Sequence, residues 1–394
     1  MDENILAKAA QDYINSNLNT DVNQIALAKS PVEYVSSAAL AGQITAKKKA
    51  EKKLPTWFKT ADIYYPPALS IEQTSSEITA SYKAKLAIGN SLIDLTGGFG
   101  IDAFYFAKQL SKVVHCEINP ELSEIAAYNA KIFGTDNIVF KAVDGIDFLK
   151  KTTETFDTIY IDPARRAAKG KVFMLKDCTP DVIENLDLLI AKSQRIIIKT
   201  APLLDISAGL QELKHVSEIH IISIKNECKE LLWVIDKDFE GEPKIIAVTL
   251  NLEEKIFTFQ KTNKVNNLVF ANTIKKGLYL YEPDAALLKT GNFNYIGQYY
   301  KLVKLHPQTQ LYMSTIIENK FPGRIFEIKA LLSSGDLKKQ KSPSGNVIVR
   351  NYPAKPEELV KKYKIKADKD VFLIFTKANN GENIIIEAQI IQYY

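Results

Sequence analysis

Cysteine and histidine are scarce in this sequence, which has three cysteines and four histidines among 394 residues. Such small, scattered numbers exclude a disulfide framework and give no zinc-site spacing, so the sequence predicts no metal. Long apolar runs are also lacking, and none approaches the ~18 residues of a membrane helix. The first residues do not look like a signal peptide. We therefore expect a cytoplasmic protein with no membrane contact.

An excess of one charge is missing too, since 51 basic side chains face 46 acidic ones and the net charge is +5. This balance excludes a histone-like polybasic protein. It conceals two basic segments, because residues 47–53 have a net charge of +4 and residues 320–370 one of +7. The rest of the chain therefore has a net charge of −6. Basic segments can be solvated surface or a grip on nucleic-acid phosphates, and the sequence leaves both open.

Apolar residues, in contrast, are plentiful at 46%, and the length indicates more than one domain. The first 60 residues have helical periodicity, with Asp21 and Ser30 as expected helix N-caps. From about residue 70, short β-rich runs alternate with helical patterns, which is typical of a parallel sheet covered on both faces. The runs are 91–95, 113–118, 138–142, 158–161 and 195–199, with helical patterns at 101–110, 120–132 and 180–192.

Two further runs, 219–224 and 231–235, flank Asn226 and predict an antiparallel pair that closes one edge of this sheet. More short strands follow at 245–250 and 256–259. The first core is therefore expected to end near residue 262. Beyond it, the chain is rich in lysine and turns.

A glycine-rich turn follows the first run, where residues 91–100 read SLIDLTGGFG. Glycines there allow positive φ angles and let a ligand approach the backbone closely. Similar turns also bind dinucleotides, and residues 98–103 fit a loose GxGxxA pattern. The turn alone does not decide between these ligands.

A carboxylate stands at the end of each of the first four runs. Asp94 precedes the glycines, Glu117 stands at the end of the second run, Asp144 follows the third, and Asp162 with Pro163 follows the fourth. Because the carboxyl ends of parallel strands meet at one edge of a sheet, all four acids should face one crevice. So many carboxylates repel phosphates and favour a cationic sulfonium ligand, with Glu117 suited to ribose hydroxyls and Asp144 to an adenine amino group. Helix N-capping is the alternative explanation.

In this order and spacing, residues 70–236 resemble the class I S-adenosylmethionine-dependent methyltransferases. The resemblance implies a Rossmann-like α/β fold with a seven-stranded sheet, and S-adenosylmethionine as the cofactor. It implies cofactor contacts from Asp94, Thr96, Gly97, Gly98, Gly100, Glu117, Asp144 and Asp162. It also implies that Asp162, Pro163 and Arg165 are catalytic.

Three segments further resemble a bacterial methyltransferase family with a THUMP-like C-terminal domain: KKLPTW at 52–57, EQTSSE at 72–77 and IDPARR at 161–166. Residues 293–311 and 370–376 are similar to its small ferredoxin-like insert and its terminal domain. This resemblance implies an RNA substrate, and it adds Gln73 and Thr74 as contacts to the methionine end of the cofactor. The expected domains are helical (1–60), methyltransferase (61–262), ferredoxin-like (263–325) and THUMP-like (326–394), the last two forming a small α+β region.

The motif at Asp162 departs from the Asp/Asn-Pro-Pro-aromatic pattern of enzymes that methylate exocyclic amino nitrogens. Ala164 and Arg165 replace the second proline and the aromatic, and a guanidinium can lie over a base or bind a phosphate. Lys169 and Lys171 follow and favour an anionic substrate. None of the cysteines has the setting of a nucleophile.

The sequence thus predicts a methyltransferase that acts on a base in structured RNA. Three alternatives remain at this point. They are methyl transfer to a protein or small molecule, a nucleotide-dependent dehydrogenase that uses the glycine turn, and a non-catalytic RNA-binding protein that retains the fold.

Overall fold

The computed structural model describes residues 1–165, 174–260, 262–263, 265 and 269–394. The chain divides into two compact units, Met1–Ser217 with Leu232–Gly241 and Glu218–Leu231 with Glu242–Tyr394. Within the described ranges, no helix combines the length and the apolar character that a membrane span requires.

The first unit begins with a helical module. It comprises a 3-10 turn (Glu3–Leu6), α1 (Lys8–Ser16), α2 (Val22–Leu27), α3 (Ser37–Lys53), α4 (Pro55–Lys59), α5 (Ala68–Gln73) and α6 (Glu77–Ala84). Asp21 caps α2 as predicted. The prediction for Ser30 is wrong, because its hydroxyl closes a turn with the backbone of Val32 and the next helix, α3, begins after the N-cap Ser36. A serine hydroxyl closes such turns as readily as it caps a helix.

Strands and helices alternate in the rest of the first unit. The strands are β1 (Ser91–Asp94), β2 (Lys112–Cys116), β3 (Ile138–Lys141), β4 (Phe156–Ile161), β5 (Ala164–Arg165), β6 (Cys178–Thr179) and β7 (Ser193–Thr200). The helices are α7 (Ile101–Ala107), α8 (Pro120–Ile132), α9 (Gly145–Lys151), α10 (Val182–Lys192) and α11 (Ile206–Glu212), with a 3-10 turn at Leu175–Asp177. Two long strands follow, β8 (Val216–Ile224) and β9 (Glu227–Asp236), and both are divided between the units.

The main strands of the first unit lie in the order β3-β2-β1-β4-β7-β9. All pairs from β3 to β7 are parallel, which confirms the α/β, Rossmann-like class. Their apolar runs are buried, as at Ile196–Ile198 in β7, where exposure is at most 1%. The chain builds outward from β1 in both directions, so the switch point between β1 and β4 is where such sheets bind ligands.

In the second unit, β8 pairs in parallel with β10 (Lys244–Leu250), and β10 pairs antiparallel with β11 (Glu254–Phe259). The β8–β9 hairpin turns at Lys225 and Asn226, whose φ angles of 51° and 62° fit a type I′ turn. The predicted hairpin is therefore present. It does not close the edge of the sheet, because β10 adds a strand beside β8.

A second sheet occupies the C-terminal part of this unit, in the order β13-β14-β12-β15-β18-β17-β16. Its strands are β12 (Tyr279–Pro283), β13 (Val303–His306), β14 (Thr309–Ser314), β15 (Gly323–Leu332), β16 (Asn346–Val349), β17 (Val371–Lys377) and β18 (Asn383–Gln392). Its helices are α12 (Ala285–Lys289), α13 (Phe293–Tyr299), α14 (Ser334–Lys339) and α15 (Pro356–Tyr363). Along β17, Phe372 and Ile374 belong to one apolar cluster and Leu373 and Phe375 to another, as expected of a strand covered on both faces. This is the α+β region that the sequence predicts.

Candidate active site

The glycine-rich turn between β1 and α7 lies at the switch point of the first sheet. Gly98 and Gly100 have φ angles of +56° and +82°, which favour glycine. Gly97 donates its N–H to the carbonyl oxygen of Cys116 at 2.8 Å. A Cβ at Gly97 would overlap the imidazole of His115, which is fully buried below the turn. Burial lowers the pKa of His115 to about 4, so the ring is neutral at pH 7 and packs beneath the turn.

Asp94 ends β1 and is only 1% exposed. Its Oδ1 accepts the backbone N–H of Thr96 at 3.0 Å, whereas Oδ2 has no hydrogen-bond partner among the described residues. Burial raises the pKa of Asp94 well above its usual range, and the charges of Asp102, Asp162 and Glu117 add to the effect. An unpartnered buried carboxylate oxygen is costly, and a cationic ligand group would remove that cost.

Glu117 follows β2 and is fixed at the mouth of the glycine turn. Its Oε2 accepts the N–H of Gly98 and its Oε1 the N–H of Asn119, each at 2.8 Å. The next side chain, Ile118, is 70% exposed, and sequence reasoning did not single it out. In the sequence, the signal for Ile118 was its position directly after the acid at the end of β2. The pair offers carboxylate acceptors beside an apolar surface, an arrangement that suits a ribose with an attached planar ring.

Asp144 follows β3 and caps α9, accepting the backbone N–H of Asp147 at 2.9 Å. The capping explanation therefore applies to this acid, although the carboxylate can accept further hydrogen bonds. A Cβ on Gly145 would overlap the backbone of Leu95, so glycine lets α9 begin against the end of β1. Asp144 also lines an open groove of about 630 Å³. Its predicted adenine contact stays a prediction.

Asp162 follows β4 and is held from two sides. Its backbone N–H donates to Thr96 Oγ1 at 2.7 Å, and its carboxylate forms an ion pair with Lys199. Thr96 thus joins the glycine turn to the predicted catalytic motif, and the next residue, Pro163, is buried. The structure brings Asp94, Thr96 and Asp162 together, as the sequence predicts.

Two family descriptions match the C-terminal part of the chain, a ferredoxin-like domain over residues 279–322 and a THUMP domain-like region over residues 323–389. A candidate methyltransferase of Porphyromonas gingivalis W83, known from its crystal structure, is 31% identical to this chain. The two superpose with a TM-score of 0.87, and the match covers 100% of both chains. The chain belongs to this THUMP-like methyltransferase family.

Membership of the THUMP-like methyltransferase family confirms the resemblance seen in the sequence, and it does not favour the dehydrogenase or the non-catalytic alternative. An uncharacterized RNA methyltransferase of Mycoplasma mobile is 27% identical over 135 residues. That match covers 34% of this chain and 34% of the relative, so the chain spans about a third of the length of this curated relative.

The site of this THUMP-like methyltransferase fits S-adenosylmethionine. The unpartnered Oδ2 of Asp94 can accept from the ammonium group of the methionine portion, which relieves the buried charge. The carboxylate of Glu117 retains lone pairs for two ribose hydroxyls beside the exposed Ile118. The glycine turn leaves room for the ligand to approach the backbone.

Lys199 is a residue of the site that sequence reasoning missed. It stands near the end of β7, one residue before the strand ends at Thr200, and its side chain is 15% exposed. The signal lay in the fifth β-rich run, since a lysine ended that run where acids stood at the ends of the first four. Its carboxylate partner is the first residue of the predicted catalytic motif.

A second charged network is buried behind the site. Lys83 Nζ lies 2.9 Å from Asp102 Oδ1, and the hydroxyls of Ser75 and Tyr160 donate to Asp102 Oδ2 at 2.7 and 3.0 Å. Burial alone would raise the pKa of Asp102, but the charges of Lys83 and Lys199 and the hydrogen bonds outweigh it and lower the pKa. The ionised Asp102 therefore ties α6, α7 and β4 together.

Gln73 and Thr74, the predicted contacts at the methionine end, occupy the end of α5. Gln73 is exposed and Thr74 half-buried, and their cofactor role stays a prediction. The buried members of this segment are Ser75, in the Asp102 network, and Glu77, which accepts from the backbone N–H and hydroxyl of Thr56 at 2.6 and 2.7 Å. That contact joins 52–57 and 72–77, two of the three sequence segments that resemble the family.

The predicted roles of Arg165 and of the basic residues after it concern side chains that lie outside the described residues. The backbone of Arg165 pairs with Cys178 in the two-stranded sheet of β5 and β6. Its side chain, and residues 166–173 with Lys169 and Lys171, lie outside the described residues.

Proposed function

We propose that the protein transfers the methyl group of S-adenosylmethionine to a base in structured RNA. The observation that carries the proposal is the set of three carboxylates, Asp94, Glu117 and Asp162, around a glycine turn at the sheet's switch point. Burial of Asp94 with one oxygen unpartnered favours a ligand that brings positive charge. An anionic dinucleotide would add repulsion at the same place.

In this proposal each carboxylate has one task. Asp94 binds the ammonium group of the methionine portion, Glu117 binds the ribose hydroxyls, and Asp144 accepts from the adenine amino group. When bound, the cofactor supplies an electrophilic methyl group on a sulfonium, which a nucleophilic atom of the substrate takes. The glycine turn allows the cofactor to lie against the backbone of residues 96–100.

Asp162 and Pro163 orient the substrate. The carboxylate of Asp162 and the backbone carbonyl that follows it accept hydrogen bonds from the reacting group of the substrate. The lone pair of that group is thereby directed towards the methyl group. This requires a fixed carboxylate, and Thr96 and Lys199 provide the fixation. The proposed platform or phosphate contact is Arg165, in place of a stacking aromatic.

The cysteines support a transfer without a thiolate nucleophile. Cys116 and Cys178 are fully buried, and burial raises the pKa of Cys116 to about 12. Burial likewise raises the pKa of Cys228 to about 11. Thiols with such pKa values are protonated at neutral pH.

The choice of RNA rests on the charge of the THUMP-like part and on the name of the Mycoplasma mobile relative. Of the 13 basic residues in 320–370, 11 are exposed: Lys320, Lys338, Lys339, Lys341, Arg350, Lys355, Lys361, Lys362, Lys364, Lys366 and Lys369. Four of them, Lys338 and Lys339 on α14 and Lys361 and Lys362 on α15, are called the lysine face below. Both helices pack on one apolar cluster, and within the described ranges none of the four lysines forms an ion pair. Unpaired exposed lysines suit a phosphate backbone.

We further propose that the chain consists of four domains, with boundaries at 60/61, 262/263 and 325/326. The described cysteines form no disulfide, and RNA substrates are available in the cytoplasm, which is the proposed compartment.

Calorimetric titration with S-adenosylmethionine and radiolabelled methyl transfer test the proposal together. We expect the wild type to bind the cofactor and to label RNA from a strain that lacks this protein. Glu117→Ala should weaken cofactor binding about 10–100-fold, because charge-assisted hydrogen bonds to the ribose are removed. Glu227→Ala, which removes an exposed carboxylate paired with Lys229, is the matched control and should bind normally.

Mass spectrometry of the labelled nucleosides then identifies the methylated base and atom. A wild-type protein that does not bind S-adenosylmethionine would refute the cofactor. Binding without any RNA labelling, but with label in protein or small molecules, would refute the RNA substrate alone.

A further inference from the structure

Lys199 and Asp162 are neighbours because of strand register. In the parallel pair of β4 and β7, Tyr160 is opposite Ile197 and Ile161 is opposite Ile198. The next residue on each strand side is therefore Asp162 and Lys199, whose side chains emerge on the same face of the sheet. Their ion pair follows from this register and needs no unusual backbone.

The pair continues a series of alternating charges. Lys83 is fully buried against Asp102, and the charge of Lys199 contributes to the lowered pKa of Asp102. The series thus runs Lys83, Asp102, Lys199, Asp162, from buried to progressively more exposed side chains, with 33% exposure at Asp162. Among the described residues, Lys199 is the cation that pairs with Asp162, and without this pair the charge of Asp162 would add to those of the other crevice acids.

Asp162 is consequently fixed at both its backbone and its side chain. Thr96 accepts from its N–H at 2.7 Å, and Lys199 binds the carboxylate oxygen Oδ2. The other oxygen, Oδ1, remains able to accept from a substrate. A carboxylate held in this way is preorganised, whereas a free one has to be ordered each time a substrate binds.

We propose that Lys199 is a positioning residue for methyl transfer, which acts by holding the Asp162 carboxylate in place to receive the substrate. This inference rests on the proposed function. It assigns no contact between Lys199 and the cofactor. Loss of a positioning lysine should lower the rate of methyl transfer and leave cofactor affinity intact. Loss of a lysine that only stabilises the fold should lower both.

The first experiment compares Lys199→Met and Lys199→Arg with the wild type. Lys199→Met should lower kcat for RNA methylation about 100-fold and change KM for RNA less than about threefold, because only the reacting group loses its orientation. Affinity for S-adenosylmethionine should stay equal or increase, since the crevice becomes more negative. Lys199→Arg keeps the charge and should recover kcat to within about tenfold of the wild type.

Lys229→Met is the matched control, because Lys229 is also a strand residue, in β9, and also pairs with a carboxylate, Glu227, at 2.6 Å. It should leave kcat and cofactor affinity unchanged. If Lys199→Met has wild-type kcat, or if its only defect is weaker cofactor binding, the inference is overturned.

A double-mutant cycle with Asp162→Asn tests whether Lys199 acts through Asp162. In the Asp162→Asn background, Lys199→Met should lower kcat further by less than about threefold, because the group it positions is already altered. Losses that multiply would show that Lys199 acts independently, which would overturn the inference.

Thermal unfolding of the wild type, the two single variants and the double variant, without cofactor or RNA, measures the same coupling as stability. Lys199→Met should lower Tm by about 2–4 °C in the wild-type background and by clearly less in Asp162→Asn, where only the charge interaction of Lys199 with Asp102 is left to lose. Equal Tm shifts in both backgrounds would refute the pairing itself. If the wild type transfers no methyl group but the Tm coupling is present, the pairing stands and only the proposed reaction fails.

Discussion

The two basic segments of the chain, residues 47–53 and 320–370, use their lysines in opposite ways. In the first segment, Lys47 is 6% exposed and donates to Asn15 Oδ1 at 2.7 Å. Lys53 donates to backbone carbonyl oxygens at the end of α5, at 2.6 and 3.1 Å. These bonds explain the first segment as an internal brace, which satisfies helix carbonyls and neutralises the C-terminal end of α5.

The second segment leaves most of its lysines in solvent. On the lysine face, α14 and α15 bury Leu337 and Leu359 and expose the four lysines. The apolar contacts hold these helices, so their lysines are not needed to stabilise the fold. Most of the basic charge of the second segment is therefore available at the surface, apart from Arg324 and Arg350, which pair with Glu282. The lysines of the first segment are largely engaged internally.

Carboxylates show the same contrast within the first unit. Asp102 is paired with Lys83 and accepts from Ser75 and Tyr160, so it serves the fold. Asp94 is even more deeply buried, but one of its oxygens has no hydrogen-bond partner among the described residues. For this protein we therefore expect a carboxylate whose oxygens are all engaged within the chain to stabilise the fold, and a carboxylate with an acceptor position left open to bind a ligand.

Asp94→Asn gives the largest expected effect and tests this expectation on a carboxylate with an open acceptor position. Affinity for S-adenosylmethionine should fall about 100-fold, because the acceptor of the cofactor's ammonium group loses its charge. The protein without cofactor should become more stable at pH 7, with Tm about 2–4 °C higher, since a buried charge is removed.

The pH dependence has a definite sign. Because the pKa of Asp94 is raised in the folded protein, the folded state holds this proton more tightly, and stability falls as pH rises from the unfolded to the folded pKa. The gain in Asp94→Asn should therefore vanish near pH 3, where the wild-type carboxyl is protonated in both states. Thermal unfolding from pH 3 to pH 8 measures this. A loss of stability at pH 7 would contradict the assignment of Asp94 as an unpaired charge.

Neutralising the lysine face is the next largest effect. Changing all four lysines to Gln should weaken RNA binding about 10–100-fold near 0.1 M salt, and the slope of log affinity against log salt should become shallower by about 0.7 for each phosphate that the variant no longer binds. Cofactor affinity should stay at the wild-type value. The matched control changes Lys48, Lys49 and Lys52 of the first segment to Gln, and RNA binding should then change less than about threefold. Equal losses of RNA affinity in both variants would show that the two basic segments contribute alike to RNA binding.

Much of the first sheet could be predicted from its sequence. Five apolar runs gave β1, β2, β3, β4 and β7. The runs of β1, β2, β4 and β7 are largely buried, and strands covered on both faces are continuous apolar runs in sequence, whereas β3 is half exposed. Acids at the strand ends placed Asp94 and Asp162 together, since parallel strands share one edge. The short helix α9 was missed, because seven residues beginning with glycine give too little periodicity.

The contacts between distant residues could not be predicted in this way. The Asp162–Lys199 pair depends on β7 lying beside β4 in one register, and sequence runs do not report which strands are adjacent. The Lys83–Asp102 pair depends on where α6 packs, although both residues lie on the helices that flank the predicted turn. Nor could the sequence show that most lysines of residues 47–53 bind polar groups of the first unit, whereas those of the lysine face are exposed and form no ion pair within the described ranges.

Lys53→Met is the smallest expected effect and tests the paired side of the comparison. It removes hydrogen bonds to two carbonyl oxygens at the end of α5, which contribute about 1 kcal/mol, so Tm should fall by about 2–4 °C. Lys52→Met, next to it, is the control, because Lys52 is exposed and its replacement should leave Tm within about 1 °C. RNA affinity should be unchanged in both variants, measured by titration against the same RNA. If Lys53→Met weakened RNA binding and left Tm unchanged, the first segment would belong with the lysine face, and charge in this chain would act on RNA wherever it occurs.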